Sequence, residues 1–543
     1  MKHKHKETKV ETSVIILSFS IILHLLVFFL NLNLGGHHCD ELMLAMNAKS
    51  IANNLSDICG EHLPIYFDTW IVGGQSPLPT YLAALSIKLF GYSVLSYRLP
   101  MLIVSIAGLL AFSGLICELT ENRAVRISSM VFCAFSPWHL FNSAWIIDCA
   151  FMAHFLIIGI YFLVLSLKGN RENLWVTLSM LFFSFTFYSY NSAILFIPVF
   201  LLVFYILLLK DRKINFWFAL KSVLALAIFS FPFILYGLVN LGIINEMQFL
   251  GLNITKMEHF TRSSDLTLLT DLPWKEKILT KLGELIFYFG CLCFPDYPGS
   301  GAKLVNKFQY TNFIGGLFLL LGVVHLLLKK DDSQYQSRKI VIATLISIIF
   351  YFFSIYLFAY YSLYRYFIYN YILYIPMGYG FHVITKKLKP QHIKIVLCLF
   401  LIISLVFFGF QLTQYQQELC TETREFTYAD GAFKCFDRIN ELGIVEFNIV
   451  ESRNSFMVDY LYAYYQNDTR FYDFKDAMMY AYNITDFNVL TTDNSIKFID
   501  LSKTDVLEDN CYIFITLYLD RYSIPDEYTL EQYGVYTLAY LTK

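Results

Sequence analysis

Residues 11–41 read ETSVIILSFSIILHLLVFFLNLNLGGHHCDE, and this stretch decides what kind of protein the chain is. Between Thr12 and Leu34 it contains no Lys, Arg, Asp or Glu. A helical run of about 20 such residues is long enough to cross the hydrocarbon core of a bilayer. A basic segment precedes the run and no small-x-small cleavage site follows it. The stretch therefore predicts an uncleaved membrane anchor that forms the first span.

The composition extends this conclusion to most of the chain. Of its 543 residues, 57% are hydrophobic and 15% are charged, whereas soluble domains carry about a quarter charged residues. An ordinary soluble enzyme is excluded. Because only helices or closed barrels satisfy the backbone inside lipid, the repeated uncharged runs predict a polytopic α-helical membrane protein of about eleven spans. The predicted spans are 12–34, 99–119, 126–142, 149–167, 174–190, 192–209, 214–241, 311–328, 340–361, 366–385 and 394–412.

The distribution of charge predicts the orientation. The N-terminus and the short loops on the same side of the membrane carry 19 Lys and Arg. The longer loops on the opposite side carry 11 before the tail begins. By the positive-inside rule the N-terminus is cytoplasmic in a multi-pass plasma-membrane protein. Residues 414–543 hold 10 Lys and Arg against 22 Asp and Glu. Helix-like segments (AFKCFDRINELG, SFMVDYLYAYYQ) alternate there with strand-like segments (EFNIVES, FNVLTTD, CYIFITLYL). We expect a transmembrane domain in residues 1–412 and a small extracytoplasmic α/β domain in residues 413–543, whose acidity gives no case for nucleic-acid binding.

An acidic pair, Asp40 and Glu41, follows the first span at the start of the first outer loop, residues 35–98. Two interpretations of Asp40 are compatible. It is the N-cap of the next helix, or it is a catalytic carboxylate near the headgroups that takes a proton from an acceptor hydroxyl. The following residues predict an amphipathic helix in the interface, with one apolar face formed by Leu44, Ala48, Ile51 and Leu55.

The order of four later segments carries more information than any one residue. They are GGQSPLPTYLAALSIKLFGYSVLSYRLP (73–100), SPWHLFNSAWIID (136–148), FPDYPGSGAKL (294–304) and YRYFIYNYILYIPMGYG (364–380). Together with the acidic pair, this order resembles the membrane glycosyltransferases of the GT-C superfamily. The closest resemblance is to the protein O-mannosyltransferase and aminoarabinose-transferase branch. The resemblance covers residues 12–412, and the tail resembles nothing that we can name.

The resemblance implies an inverting transfer of a sugar from a polyprenyl phosphate to a glycan, lipid or protein acceptor on the outer face of the membrane. Asp40 is then the general base, and Glu41 supports it or binds acceptor. Arg98 and Arg365 are candidates to meet the charge that develops on the leaving phosphate, although both positions also suit interfacial anchors. Asp148 is expected close to the reaction cavity, with a helix-start cap as the alternative.

A cofactor is not fixed by the sequence, and a divalent metal ion stays open. In the aminoarabinose branch such an ion is associated with a first-loop carboxylate and a histidine, for which this chain offers Glu61, His62 and His259. His37 and His38 lie beside Asp40 but suit solvated loop residues better. No spacing identifies a metal site. Three further histidines on apolar helices are interpreted as packed structural residues: His24, His154 and His325.

Three other functions are compatible with parts of the pattern. A multi-span transporter or flippase for a lipid-linked or small substrate predicts broken helices and midplane charges. A noncatalytic scaffold predicts that the tail alone carries the function. A glycan polymerase or ligase would use a diphosphate-linked donor instead.

Overall fold

The computed structural model describes most of the chain. The described residues are 2–34, 38–58, 60–68, 74–169, 171–257, 273–293, 315–329, 331–354, 368–420, 430–450, 496–499, 507, 509–534 and 536–541.

The chain forms two compact units, each assembled from separate stretches of sequence. The first comprises Met1–Leu30, Arg98–Leu241 and Thr261–Tyr415. The second comprises Asn31–Tyr97, Gly242–Phe260 and Gln416–Lys543.

Helices dominate the first unit. In chain order the helices of the protein are α1 (Lys2–Leu34), α2 (Cys39–Asn54), α3 (Pro77–Phe90), α4 (Val94–Leu119), α5 (Arg123–Ala134), α6 (Pro137–Asn142), α7 (Asp148–Ser166), α8 (Glu172–Ser189), α9 (Ala193–Lys210), α10 (Phe216–Phe229), α11 (Phe231–Asn240), α12 (Trp274–Cys293), α13 (Gly315–Leu328), α14 (Tyr335–Ser354), α15 (Asn370–Thr385), α16 (Pro390–Cys420) and α17 (Asp430–Glu441).

Six of the helices in the described residues are long and apolar enough to cross a membrane, and α10 with α11 makes a seventh if the bent pair counts as one span. The multi-span character predicted from the sequence is thereby supported, while the number eleven stays a prediction. The six stretches are Val14–Leu32, Val94–Leu119, Asp148–Ser166, Ala193–Lys210, Asp332–Phe353 and Pro390–Gln417.

Two predicted spans are interrupted, and local chemistry explains both breaks. The span expected at 126–142 divides into α5 and α6 at Ser136, whose hydroxyl caps α6 by accepting from the His139 backbone N–H at 3.4 Å. The span expected at 214–241 bends by 64° between α10 and α11. Pro232 lies in the first turn of α11, where its ring and missing N–H prevent a continuous helix.

The second unit contains five strands that form one sheet. The strands are β5 (Phe447–Val450), β6 (Ile496–Ile499), β7 (Cys511–Ile515), β8 (Tyr528–Tyr533) and β9 (Tyr536–Leu541), and their order in the sheet is β6-β5-β7-β9-β8. β5 pairs in parallel with β6 and β7, whereas β9 pairs antiparallel with β7 and β8. Two short hairpins precede it, β1 (Phe67–Asp68) with β2 (Gly74–Gln75) and β3 (Met247–Phe249) with β4 (Leu252–Ile254).

Helix α17 covers one face of this sheet. Cys435, Phe436 and Ile439 pack with strand residues in one buried core, and Leu42 of α2 belongs to the same core. The residues Tyr512 and Phe514 of β7 belong to a second buried core. Strand β7 therefore contributes side chains to both buried cores, and this explains why its sequence is an almost continuous hydrophobic run.

A polar network ties α17 to β8. Glu531 accepts hydrogen bonds from the hydroxyls of Tyr533 at 2.5 Å and Tyr540 at 2.7 Å, and from the Arg438 guanidinium at 3.1 Å. The pKa of Glu531 is lowered from its usual value. The largest cause is the hydrogen bond from Tyr533; those from Tyr540 and Arg438 also lower the pKa, whereas desolvation raises it. Hydrogen bonds to the charged form explain the direction.

Candidate active site

The acidic pair begins helix α2, but Asp40 is not its N-cap. That position belongs to His38, whose Nδ1 accepts a hydrogen bond from the Asp40 backbone N–H at 3.2 Å. The His38 carbonyl accepts from the backbone N–H groups of Glu41 and Leu42, both at 3.0 Å. The N-cap interpretation of Asp40 is therefore wrong, because the imidazole one position before the helix takes that role. Asp40 lies in the first turn, where the helix dipole favours a negative charge.

Most of the helix is buried. All residues from Glu41 to Ala52 are buried, including Asn47 and Lys49, while Leu55 is exposed. The expected interfacial helix with one apolar face is thus wrong. The helix instead packs against α3 and, through Leu42, joins the core beneath the tail sheet. This packing holds the acidic pair rigidly.

The two acids differ in accessibility. The Asp40 side chain is 23% exposed, whereas Glu41 is fully buried. The Asp40 Oδ2 lies 4.0 Å from His38 Nδ1, and the Gln75 amide lies 3.5 Å from the Asp40 carbonyl oxygen. A carboxylate that is reachable and fixed can accept a proton from a bound molecule. The buried Glu41 suits a role in supporting Asp40.

The loop after α2 folds back on the helix. The Asp57 carboxylate accepts from the Glu61 backbone N–H at 2.8 Å, and the Asn47 amide oxygen accepts from the Ile58 N–H at 3.2 Å. The Asn253 amide donates to the Glu61 carboxylate at 2.7 Å. Glu61 is thus engaged in joining two stretches of the second unit.

These contacts do not assemble a metal centre. Among the described residues no group of three His, Cys, Asp or Glu side chains is placed to hold an ion. His62 is exposed beside Glu61, and two of the histidines considered from the sequence, His37 and His259, lie outside the described residues.

Arg98 and Asp148 lie in the first unit. Arg98 is fully buried, and its guanidinium carbon lies 4.6 Å from the centre of the Trp145 ring, a cation–π arrangement. The Trp145 indole N–H donates to the Tyr415 hydroxyl at 2.8 Å. Asp148 begins α7 and accepts from the Cys149 backbone N–H at 2.7 Å.

The structure therefore places four of the five predicted site residues in two groups. Asp40 and Glu41 are adjacent in the second unit, and Arg98 and Asp148 are both associated with the segment Trp145–Asp148 in the first. Arg365 lies outside the described residues. Arg98 is not the exposed helix-end anchor that was the alternative interpretation, because none of its surface is accessible.

Sequence reasoning missed a cluster of imidazoles in the first unit. The rings of His24 and His139 are centred 4.5 Å apart. The Tyr371 hydroxyl lies 3.0 Å from His154 Nδ1 and 3.0 Å from His139 Nε2. His24 and His154 are packed, as expected, but they are not isolated. Four helices supply these residues, so no local sequence signal reveals the cluster.

Known proteins resemble this chain in part of its sequence and in its fold. Residues 74–236 match the family model of dolichyl-phosphate-mannose-protein mannosyltransferases. ArnT from Cupriavidus metallidurans bound to undecaprenyl phosphate superposes with a TM-score of 0.54 at 12% identity, over 96% of this chain and 97% of that one. AglB from Archaeoglobus fulgidus, in complex with an inhibitory peptide and a dolichol-phosphate, gives 0.53 at 10% identity over 95% and 70%.

The protein has the GT-C fold. The resemblance derived from the order of the sequence segments is thereby confirmed. The apo oligosaccharyltransferase of A. fulgidus also shares the GT-C fold, with a TM-score of 0.51 at 10% identity over 83% of this chain, which spans 63% of that protein's length. No curated protein has a matching sequence.

Proposed function

We propose that this GT-C protein is an integral membrane glycosyltransferase that transfers a monosaccharide from a polyprenyl phosphate to an acceptor. The GT-C fold and the mannosyltransferase match at residues 74–236 support the class of reaction. Among the structural relatives, ArnT holds undecaprenyl phosphate and AglB holds a dolichol-phosphate, which favours a lipid-linked donor. A cell-envelope glycan, a lipid or a protein is the acceptor.

One observation of the site carries the proposal: the pairing of a reachable acid with a buried one. Asp40 is partly exposed in the first turn of a helix whose residues from Glu41 to Ala52 are buried, and the adjacent Glu41 has no accessible surface. A general base must contact its proton donor and hold its position. Asp40 satisfies both demands.

The proposed step is a single inverting displacement. Asp40 takes the proton of the acceptor hydroxyl while the hydroxyl oxygen forms a bond to the anomeric carbon of the sugar. The bond from that carbon to the phosphate oxygen breaks, and its electron pair leaves with the polyprenyl phosphate. Cationic side chains stabilise the charge that builds up there; Arg98 and Arg365 are proposed for this role, with Asp148 positioning Arg98.

The orientation follows from the loop charges. The cation-rich short loops favour a cytoplasmic N-terminus, and we propose that the acidic pair and the tail domain face outward. A donor phosphate at headgroup level is within reach of such a site while its tail stays in the bilayer.

A transporter or flippase is a second candidate because of one feature, the 64° break between α10 and α11. Broken helices in membrane proteins often line substrate sites. Ion-coupled uptake into proteoliposomes, without sugar transfer, would establish this alternative.

The test of the proposed function compares purified wild type with Asp40→Asn. Both are supplied with radiolabelled polyprenyl-phosphate sugars and with membrane extract as acceptor. Loss of a general base lowers the rate by about 10²–10⁴-fold, so we expect near-complete loss in the folded variant. Asp526→Asn is the matched control, since Asp526 is an exposed acid of the same unit. Undiminished transfer by Asp40→Asn contradicts the role of Asp40.

A further inference from the structure

The imidazole of His38 is the group that caps the helix carrying Asp40. The residue is 1% exposed, so the ring is held by its surroundings although it precedes the helix. Its Nδ1 accepts a hydrogen bond from the Asp40 backbone N–H at 3.2 Å, the place usually taken by a serine, threonine, asparagine or aspartate oxygen. Because water does not reach this buried position, the side chain alone satisfies the amide there.

The direction of this hydrogen bond determines the form of the ring. A backbone N–H only donates, and an imidazole nitrogen that accepts from it carries a lone pair and no proton. The His38 ring therefore caps α2 as neutral imidazole, with its proton on Nε2. A carboxylate at the same position would add a third negative charge beside Asp40 and Glu41, and neighbouring like charges oppose one another. The neutral ring caps the helix without that repulsion.

The same lone pair also acts on the Asp40 carboxylate. Asp40 Oδ2 lies 4.0 Å from His38 Nδ1, which is beyond hydrogen-bond distance. Two electron-rich atoms without a proton between them repel each other, so the ring disfavours rotation of the carboxylate toward the helix end. The Asp40 side chain is 23% exposed, and this exposed part is the part that a substrate hydroxyl can contact.

A second buried side chain approaches the same residue from the β1–β2 hairpin. The Gln75 amide nitrogen lies 3.5 Å from the Asp40 carbonyl oxygen, and Gln75 is 5% exposed. The backbone N–H and the backbone carbonyl of Asp40 thus each face a buried side chain that lies outside the helix. A misplacement of about 1 Å can lower a rate by about 10²-fold. Restraint of this peptide therefore bears directly on proton transfer to the carboxylate.

We propose that His38 is a positioning residue for Asp40. Its neutral, buried imidazole holds the Asp40 backbone in the first turn of α2 and directs the carboxylate to the exposed side. The inference rests on the proposed function, in which Asp40 is the general base. His38 acts through Asp40 and not on the substrate, so its loss should slow turnover without weakening binding of the donor.

Transfer kinetics of the purified full-length protein test this role. His38→Ala is expected to lower kcat by about 10- to 100-fold, with the KM for the polyprenyl-phosphate sugar within about twofold of wild type. His38→Asn supplies a cap of the usual kind, so kcat should return to within about threefold of wild type. Asn215→Ala is the matched control. Asn215 caps α10 by accepting from the Phe218 backbone N–H at 2.8 Å, and loss of that cap should leave kcat unchanged.

A double variant separates positioning from a general folding defect. In the Asp40→Asn background, His38→Ala should have no further effect on the residual rate, because a residue that acts through Asp40 has nothing left to position. A folding defect would lower the residual rate as well.

Chemical labelling of the Asp40 carboxylate gives a readout that does not require transfer. A water-soluble carbodiimide couples a labelled amine to accessible carboxylates, and mass spectrometry measures the rate at Asp40. Without its cap the first turn opens more often, so the rate should rise about fivefold in His38→Ala and return toward wild type in His38→Asn. Asp526, an exposed acid of the same unit, should be labelled equally in all variants.

A wild-type kcat or a wild-type labelling rate at Asp40 in His38→Ala overturns the proposal. Failure of His38→Asn to restore kcat also overturns it, as does an undiminished effect of His38→Ala in the Asp40→Asn background. If the wild type transfers no sugar, the proposed function fails, and the labelling rates then decide by themselves whether His38 positions Asp40.

Discussion

The crossing of α13 and α15 leads to a sharp prediction about stability. A Cβ atom added at Gly322 would lie 1.6 Å from the Pro376 carbonyl oxygen, whereas ordinary contacts begin at 3.4 Å. The two backbones would have to part by about 1.8 Å. Small residues allow helices in membranes to approach closely in this way. Because a backbone atom cannot move aside as a flexible side chain does, we expect Gly322→Ala to cost about 3 kcal/mol, at the upper end of the range for overpacking.

The gain in helix propensity, about 1 kcal/mol for Gly to Ala, leaves a net loss of about 2 kcal/mol. With an unfolding entropy of roughly 2.1 cal/mol/K per residue across the first unit, the Tm of the detergent-solubilised protein should fall by about 3 °C. Gly409→Ala is the matched control. A Cβ there meets nothing within 4 Å, so only the propensity term acts and the Tm should stay or rise. Equal Tm values for the two variants would refute the steric argument.

Two further predictions concern the tail and the orientation. Because the pKa of Glu531 is lowered in the folded state, its contribution is present above the unfolded pKa of about 4.3 and is lost as the pH falls through the folded value. Glu531→Gln should therefore reduce hydrogen-exchange protection of β8 and β9 about fivefold at pH 7, a loss of about 1 kcal/mol. The ratio of wild-type to variant protection should approach one at low pH. A protection ratio that does not change with pH contradicts this prediction. A cysteine that replaces Asp332 should react with a membrane-impermeant thiol reagent only after the cells are opened. A cysteine that replaces Lys256 should react in intact cells. The reverse pattern would contradict the proposed topology.

Much of the secondary structure could be predicted from local sequence. The hydrophobic runs indicated α4, α7 and α9 to within a few residues at most ends. The strand-like EFNIVES segment contains β5, and the helix-like AFKCFDRINELG segment covers α17 except for its first two residues. The predicted strand CYIFITLYL is extended only to Ile515, and a 3₁₀ turn follows. The segments SFMVDYLYAYYQ and FNVLTTD lie outside the described residues. Periodicity and composition act over a few residues, which is why these features were accessible.

The candidate site was only partly accessible to the same reasoning. The sequence located Asp40 and Glu41 at a helix start, since the change from an apolar span to a polar loop is local. It assigned the cap to Asp40 because Asp is a strong N-cap residue, whereas His38 occupies that position. It also predicted an interfacial surface for α2, which is buried from Glu41 to Ala52. Burial depends on the partner that covers a helix, and the sequence does not name that partner.

The sequence by itself determined the membrane character, the approximate helix limits and the acidic pair, because each follows from residues that are neighbours along the chain. Only the tertiary structure decided that Asn31–Tyr97 and Gly242–Phe260 share a unit with the tail. It also decided that His139 and His154 both meet the Tyr371 hydroxyl. These features arise from contacts between segments that are remote in sequence, and such contacts are selected by packing, which no local pattern encodes.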